Sequence, residues 1–174
     1  MNRTFAALLG TGWLAAVWLT ANVATQAVEA AAQGNGKVML TFHAEGSQIY
    51  ECKPDPARSA SDGQALTWQF REPIAALFAD GKTIGRHYAG PNWDHIDGSG
   101  VKGKMTASKP GATANDIAWL DLDVVEHRGN GVLSDATTVQ RINTRGGVAS
   151  GSCDSAGSYL SVPYSADYVF RRES

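Results

Sequence analysis

The segment His87–Ser99 (HYAGPNWDHIDGS) concentrates groups that could do chemistry: His87 and His95, Asp94 and Asp97, Tyr88 and Trp93, with Gly90 and Pro91 shaping the backbone. A segment of this kind can present polar groups and an aromatic face from one place, which suits a pocket for a small molecule or a carbohydrate. The expected ligand contacts here are His87, Tyr88, Trp93 and Asp97, with Trp93 or Tyr88 stacking on the ligand. The same residue types also build an ordered β-connection, with Trp93 plugging the core, Pro91 fixing the bend, and Asp94 and Asp97 making Asx-turn bonds. A second candidate lies in Thr137–Thr144. If that stretch is extended, Val139, Arg141 and Asn143 share one face, and Gln140 and Ile142 the other. An arginine held on a strand can clamp a carboxylate with two parallel hydrogen bonds. The alternative for Arg141 is an internal ion pair with Asp121, Asp123 or Asp167.

Other chemistries find less support. His87, His95, Asp94 and Asp97 are ligand types for zinc or copper, and His95 and Asp97 would share a face of an extended chain. The spacing nevertheless matches no metal motif, so no metal site is assigned. Asp94-x-x-Asp97-Gly-x-Gly has too few oxygen ligands for an EF-hand and lacks its terminal glutamate. Gly98–Gly103 spells G-x-G-x-x-G without a βαβ context and reads as a glycine-rich turn, so no cofactor is expected. No Gly-x-Ser-x-Gly elbow is present. Asp121 and Asp123 pair on one strand face as glycosidase acids can, but simple exposed alternation accounts for them.

The elements that must position these residues are short and β-rich. Nine apolar-alternating strands are expected, over residues 37–42, 48–52, 66–71, 83–89, 101–106, 118–126, 137–144, 159–162 and 164–171, separated by turn dipeptides. Glu45-Gly46 reads as one turn, and Asn130-Gly131 as the strongest hairpin turn. Gly90–Gly98 reads as a loop, as does Pro54–Gly63. Pro73–Ala79 reads as a single helical turn with proline at its start. The expected fold is all-β: one antiparallel sandwich or barrel over residues 37–174, with no βαβ spacing.

The first thirty residues carry Arg3 and then an apolar run over Phe5–Leu19, with small residues before Ala31. This is the layout of a cleaved signal peptide over residues 1–30, followed by a small-residue leader at 31–36. Export to the periplasm or the medium would place Cys52 and Cys153 where disulfides persist. Cys52–Cys153 is then the expected bridge, the alternatives being two free thiols or an intermolecular bond. A net charge of −2 and the absence of a basic stripe argue against nucleic acid and against an anionic membrane as partners.

Several segments together resemble a family of exported bacterial and fungal proteins described only as domain of unknown function 3455. They are Gln48–Cys52, Gly85–Trp93, Asp97–Ser99, Trp119-Leu120, Gln140–Gly147 and Val162–Phe170, in order along the chain. The resemblance implies the domain and brings no activity, substrate or cofactor with it. The expectation is therefore an exported, non-catalytic binding module with His87, Tyr88, Trp93, Asp97, Arg141 and Asn143 as ligand contacts. One rival is a hydrolase or metalloenzyme using the His87–Asp97 loop. Another is an envelope structural or stress protein, which would have Trp93 fully buried and no concave pocket touching His87 or Arg141.

Overall fold

The computed structural model describes residues 36–57 and 65–173. The expected signal peptide, leader residues 31–35 and part of the Pro54–Gly63 loop lie outside them. The described chain forms strands β1 (Lys37–Pro54), β2 (Leu66–Ala79), β3 (Lys82–Tyr88), β4 (Asn92–His95), β5 (Gly100–Lys109), β6 (Trp119–Arg128), β7 (Thr138–Gly146) and β8 (Tyr159–Arg172). Each pairs antiparallel with its neighbour in sequence. β8 returns to pair with β1 from Lys37↔Arg172 to Glu51↔Tyr159, so the eight strands close into a barrel. Of the two all-β architectures expected, the barrel is the one formed.

Period-two alternation decides what is inside. β1 buries Phe42, Ala44, Gln48 and Cys52 and exposes Thr41, His43, Glu45 and Lys53. β8 buries Tyr164, Ala166, Tyr168 and Phe170 on its inner face. An eight-stranded barrel is only wide enough to be filled by side chains or to hold one small ligand. Here large aromatics fill one half: Trp93, Tyr168, Phe170 and Phe42 lie edge-on or tilted against one another at centroid distances of 5.3–6.0 Å.

Five details differ from the sequence-based expectation. Strands expected over 37–42 and 48–52 are one continuous β1, because Gly46 is a strand residue and not a turn. It lies between Ala75 and Tyr164, and a Cβ there would come within 2.1 Å of the Ile74 carbonyl oxygen. The last two expected strands are likewise one β8, running through Pro163. The helical turn expected at Pro73–Ala79 is instead the end of β2, and no helix occurs among the described residues. Pro73, Ala75 and Leu77 are buried and Ile74 is exposed, a strand period that ranks above alanine's helix preference once β1 pairs alongside. Also, β4 forms inside the expected Gly90–Gly98 loop, so the described residues hold eight strands. Asn130-Gly131 is part of a longer connection, residues 129–137, whose Leu133 and Ala136 are fully buried and stopper one end of the barrel.

The opposite end is open because the strands are unequal. β3 pairs with β2 only as far as Ala75↔His87, and β4 with β5 only from Asn92↔Lys102. Residues Leu66–Ile74 of β2 therefore have β1 on one side and no strand on the other. That is an edge position, where proline is tolerated. The wall is lowered at the β3–β4 turn, and the inner face of β1 and β2 at this height carries Gly46, Gln48 and Pro73. The expected disulfide is formed, Cys52–Cys153, with 5.9 Å between Cα atoms and a sequence separation of 101. It fastens the β7–β8 loop to the end of β1, together with backbone bonds from Cys52 N–H to the Ser158 carbonyl and from Gly157 N–H to the Cys52 carbonyl, both 2.9 Å.

A bridge closing so long a loop removes ~4–5 kcal/mol of chain entropy from the unfolded state on the loop-closure model. The Cys52→Ala/Cys153→Ala variant is expected to lose up to that amount in urea denaturation. Addition of a reductant should destabilise the wild type but not the variant.

Candidate functional site

The open end holds a cavity of about 380 Å³. Its walls include Tyr50 from β1, Phe70 and Pro73 from β2, Leu120 from β6, and Ile117 and Val148 from the two loops beside it. Gln48, His87 and Arg141 line it as well. Local bonds hold the rim. The Tyr50 hydroxyl donates to the Gly147 carbonyl at 2.7 Å. Gly147 has φ +88°, and a Cβ there would press within 2.8–3.1 Å of Ile117, Tyr164 and Gln48, so glycine is required by both backbone and space. Asp116 ties the two loops together: one carboxylate oxygen accepts from Gly146 N–H at 2.6 Å, the other from the Thr113 hydroxyl at 2.7 Å. Those hydrogen bonds hold its carboxyl below the usual carboxylate range.

The polar floor is made from β3, β7, β8 and β1. His87 is 2% exposed, stacked on Trp93 at 4.7 Å and tilted against Tyr168 at 4.8 Å. Its Nδ1 lies 2.8 Å from the Asn92 carbonyl and donates to it, which leaves Nε2 as an acceptor. Burial, reinforced by the Arg141 charge, lowers its pKa to about 3 against the pull of the Asn92 bond, so the imidazole is neutral. Burial raises the Tyr168 phenol, opposed by the charge and hydrogen bond of Arg141. It raises Tyr164 too, with the hydroxyls of the two tyrosines 3.4 Å apart.

Arg141 Nε donates to the Ala118 carbonyl at 3.0 Å. Its guanidinium forms no ion pair among the described residues. The three aspartates considered as partners are engaged or directed elsewhere. Asp121 accepts from Gln140 at 2.7 Å, Asp123 is exposed, and Asp167 takes His43 and Asn143, both at 2.8 Å. Gln48 is 2% exposed, and its Nε2 has no hydrogen-bond partner. The other buried side-chain nitrogens without partners among the described residues belong to Trp93, Trp119 and Arg171, none of which lines the cavity.

The six sequence-derived contacts thus separate. His87 and Arg141 meet at the cavity. Trp93 is 1% exposed and lies in the core beneath His87. Tyr88 faces the outside of the barrel, under the Arg86 guanidinium at 4.8 Å, beside an Asp94 that Arg128 and Arg86 hold at 2.8 and 2.9 Å. Asp97 fastens the stoppered end. It accepts from Ser99 Oγ at 2.6 Å, Ser99 N–H at 2.8 Å and Val132 N–H at 2.8 Å, and these bonds hold its carboxyl far below the usual range. Asn143 sits at a bulge with φ +52°, which turns its amide away from the face of Arg141 and onto Asp167. Sequence reasoning missed Gln48, Tyr50, Phe70, Ile117 and Leu120. Gln48 had a signal: it is the polar member of the inward series Phe42, Ala44, Gly46, Gln48.

The envelope-protein alternative expected Trp93 to be buried and no pocket to touch His87 or Arg141. The first holds and the second does not. Among the described residues no group of three or more His, Cys, Asp or Glu is placed to hold a metal ion. No described helix is long and apolar enough to cross a membrane.

Compared with known proteins, the chain matches one family model, "Protein of unknown function (DUF3455)", over residues 32–172. No curated protein and no solved structure matches it.

A neutral buried His87 makes stability depend on pH with a definite sign. Its folded-state pKa lies below the ordinary 6.5, so the unfolded chain binds the extra proton. Stability is complete above 6.5 and falls as the pH drops toward 3, at no more than ~1.4 kcal/mol per pH unit for this one group. Between pH 6.5 and 5, before the carboxylates titrate, the His87→Gln variant is expected to show a shallower loss of urea stability than the wild type. Identical slopes would assign the acid sensitivity to other groups.

Proposed function

This chain belongs to the DUF3455 family of proteins of unknown function, and we propose that it is an exported, non-catalytic binding module that takes a small molecule into the mouth of its barrel. The observation that carries this reading is the cavity of about 380 Å³ at the one end where the barrel wall is low, lined by apolar and aromatic side chains around a few buried polar atoms. That combination is the usual make-up of a small-molecule site. Tyr50 and Phe70, edge-to-face at 5.8 Å, supply the aromatic wall that the sequence had suggested for Trp93 and Tyr88. The mainly apolar lining favours a ligand with a hydrocarbon or aromatic body over a carbohydrate, whose many hydroxyls would have few partners there. The Cys52–Cys153 bridge supports an oxidising compartment, in keeping with export. A non-catalytic role is supported by the chemistry of the floor: the imidazole has one nitrogen committed to a backbone carbonyl, and Asp116, the carboxylate at the rim, has both oxygens engaged in loop bonds.

The test uses N-phenyl-1-naphthylamine, a neutral aromatic probe that fluoresces in apolar sites. The protein is expected to bind it saturably with one site per chain. Ala118→Trp, which fills the cavity from a partly exposed position at the mouth, should weaken binding by about tenfold or more, ~1.4 kcal/mol, without loss of fold by circular dichroism. Undiminished binding by that variant would place the probe elsewhere and remove the reading.

A further inference from the structure

We infer that the cavity is selective for monoanionic amphipaths, specifically a carboxylate on an alkyl or aryl body, with the carboxylate received by Arg141 and Gln48. This deepens the small-molecule reading above and rests on it. Two independent features point to an acceptor-bearing ligand. Arg141 carries a full charge at the floor of a mostly apolar cavity and has no carboxylate partner among the described residues, although its Nε is fixed by the Ala118 carbonyl. A guanidinium in such surroundings is stabilised by a partner that supplies both charge and planar acceptors. The second feature is Gln48. Its side chain is 2% exposed, lines the same cavity, and leaves Nε2 without a hydrogen-bond acceptor. A buried amide donor left unpaired destabilises the fold, and a ligand oxygen that accepts from it removes that cost.

The floor also selects against other charges. His87 is neutral, and its free Nε2 is an acceptor, so it adds no positive charge. Tyr164 and Tyr168 are held as neutral phenols. Arg71 at the rim is already engaged by Glu72 at 3.1 Å and by the Tyr159 hydroxyl, and the Asp116 carboxylate adds negative charge beside the loops. The Arg141 guanidinium, in no ion pair among the described residues, matches a monoanion. A dianion such as a phosphate monoester would leave charge unbalanced in a low-dielectric site. The apolar wall of Tyr50, Phe70, Ile117 and Leu120 then takes the body of the ligand.

The matched probes are decanoate and methyl decanoate, which share the alkyl body and differ in charge. Binding is read in two ways on the intact mature protein. One is displacement of N-phenyl-1-naphthylamine; the other is the NMR shift of the Arg141 Nε–H resonance during titration. Decanoate is expected to bind roughly ten- to a hundredfold more tightly than the ester and to move the Arg141 resonance. Arg141→Gln should abolish the preference while keeping probe binding. Gln48→Leu should reduce the preference, and Lys82→Gln, which removes an exposed charge that does not line the cavity, should leave it intact. Equal binding of acid and ester by the wild type, with an unmoved Arg141 signal and intact probe binding, overturns the carboxylate assignment alone. Failure of the probe, the acid and the ester to bind overturns both this assignment and the binding-module reading. Because the resonance is followed in the wild type, the outcome does not depend on any variant folding.

Discussion

The ladder between β1 and β8 is the interaction on which the rest of the molecule depends. These two strands are the first and last of the barrel, and their pairing from Lys37↔Arg172 to Glu51↔Tyr159 turns an open meander into a closed ring. Closure fixes the inward phase of every strand, because a slip of one residue would send Phe42, Ala44 and Gln48 outward and Thr41, His43 and Glu45 inward. It also sets the width of the interior. With eight strands there is room for one layer of large side chains across the middle, and Trp93, Tyr168, Phe170 and Phe42 occupy it.

Within a ring so closed, the cavity follows from strand length. β1, β2 and β8 are long, whereas β3 and β4 are short and turn at Ala89–Pro91. Where the short hairpin stops, the neighbouring stretches of β2 and β5 lose a partner. Both exposed edges carry features that discourage pairing with another chain: a register shift opposite Ile49/Tyr50 and then Pro73 on β2, and Lys104 and Lys109 on β5. The opening is thus kept as an entrance and guarded against use as a template for added strands. The other end is built oppositely. There Leu133 and Ala136 fill the ring, and Asp97 holds the stopper by accepting Val132 N–H across the gap.

Much of the architecture could be read from the sequence because alternation and turn chemistry are local. The all-β class and the resemblance to the family were legible, as was the cysteine pairing. What was lost came from long-range pairing. Gly46 reads locally as a turn because glycine's chain-breaking role is a local prior, whereas its role here is to let Ile74 and Ala75 approach from another strand. The helical turn at Pro73–Ala79 fails in the same way, since the weak preference of three alanines is outweighed by a β1 partner that no local window reveals. Breaking β1 at Gly46 also lost the phase that would have marked Gln48 as a polar residue facing inward. The richest sequence cluster divided because β4 is a strand: alternation sends Trp93 into the core and Asp94 to the outside, and the turn that follows carries Asp97 to the far end. Arg141 and His87 remained together because each sits in inward phase on its own strand at the same height.

That shared height gives the floor its electrical character. In a barrel filled to the rim, an inward arginine would face only apolar groups and aromatic rings, and would lower stability unless a carboxylate from another strand met it. Of the three aspartates considered as partners of Arg141, Asp121 is committed to Gln140, Asp167 to His43 and Asn143, and Asp123 is exposed, while Asp116 at the rim is committed to the loops. In the sheet register Asp121 lies opposite Gln140 and Asp167 opposite Ile142, the residues on either side of Arg141 that face the other way, and Arg141 has no ion-pair partner among the described residues. A neutral His87 beneath and two neutral tyrosines beside it leave the guanidinium as the charge on the cavity floor, its effect strengthened by the low local dielectric. A guanidinium without an ion pair, in a cavity that is also lined by the unpaired Gln48 amide donor, gains stability from an acceptor brought from outside. The lowered wall at Ala89–Pro91 is the route by which one can arrive.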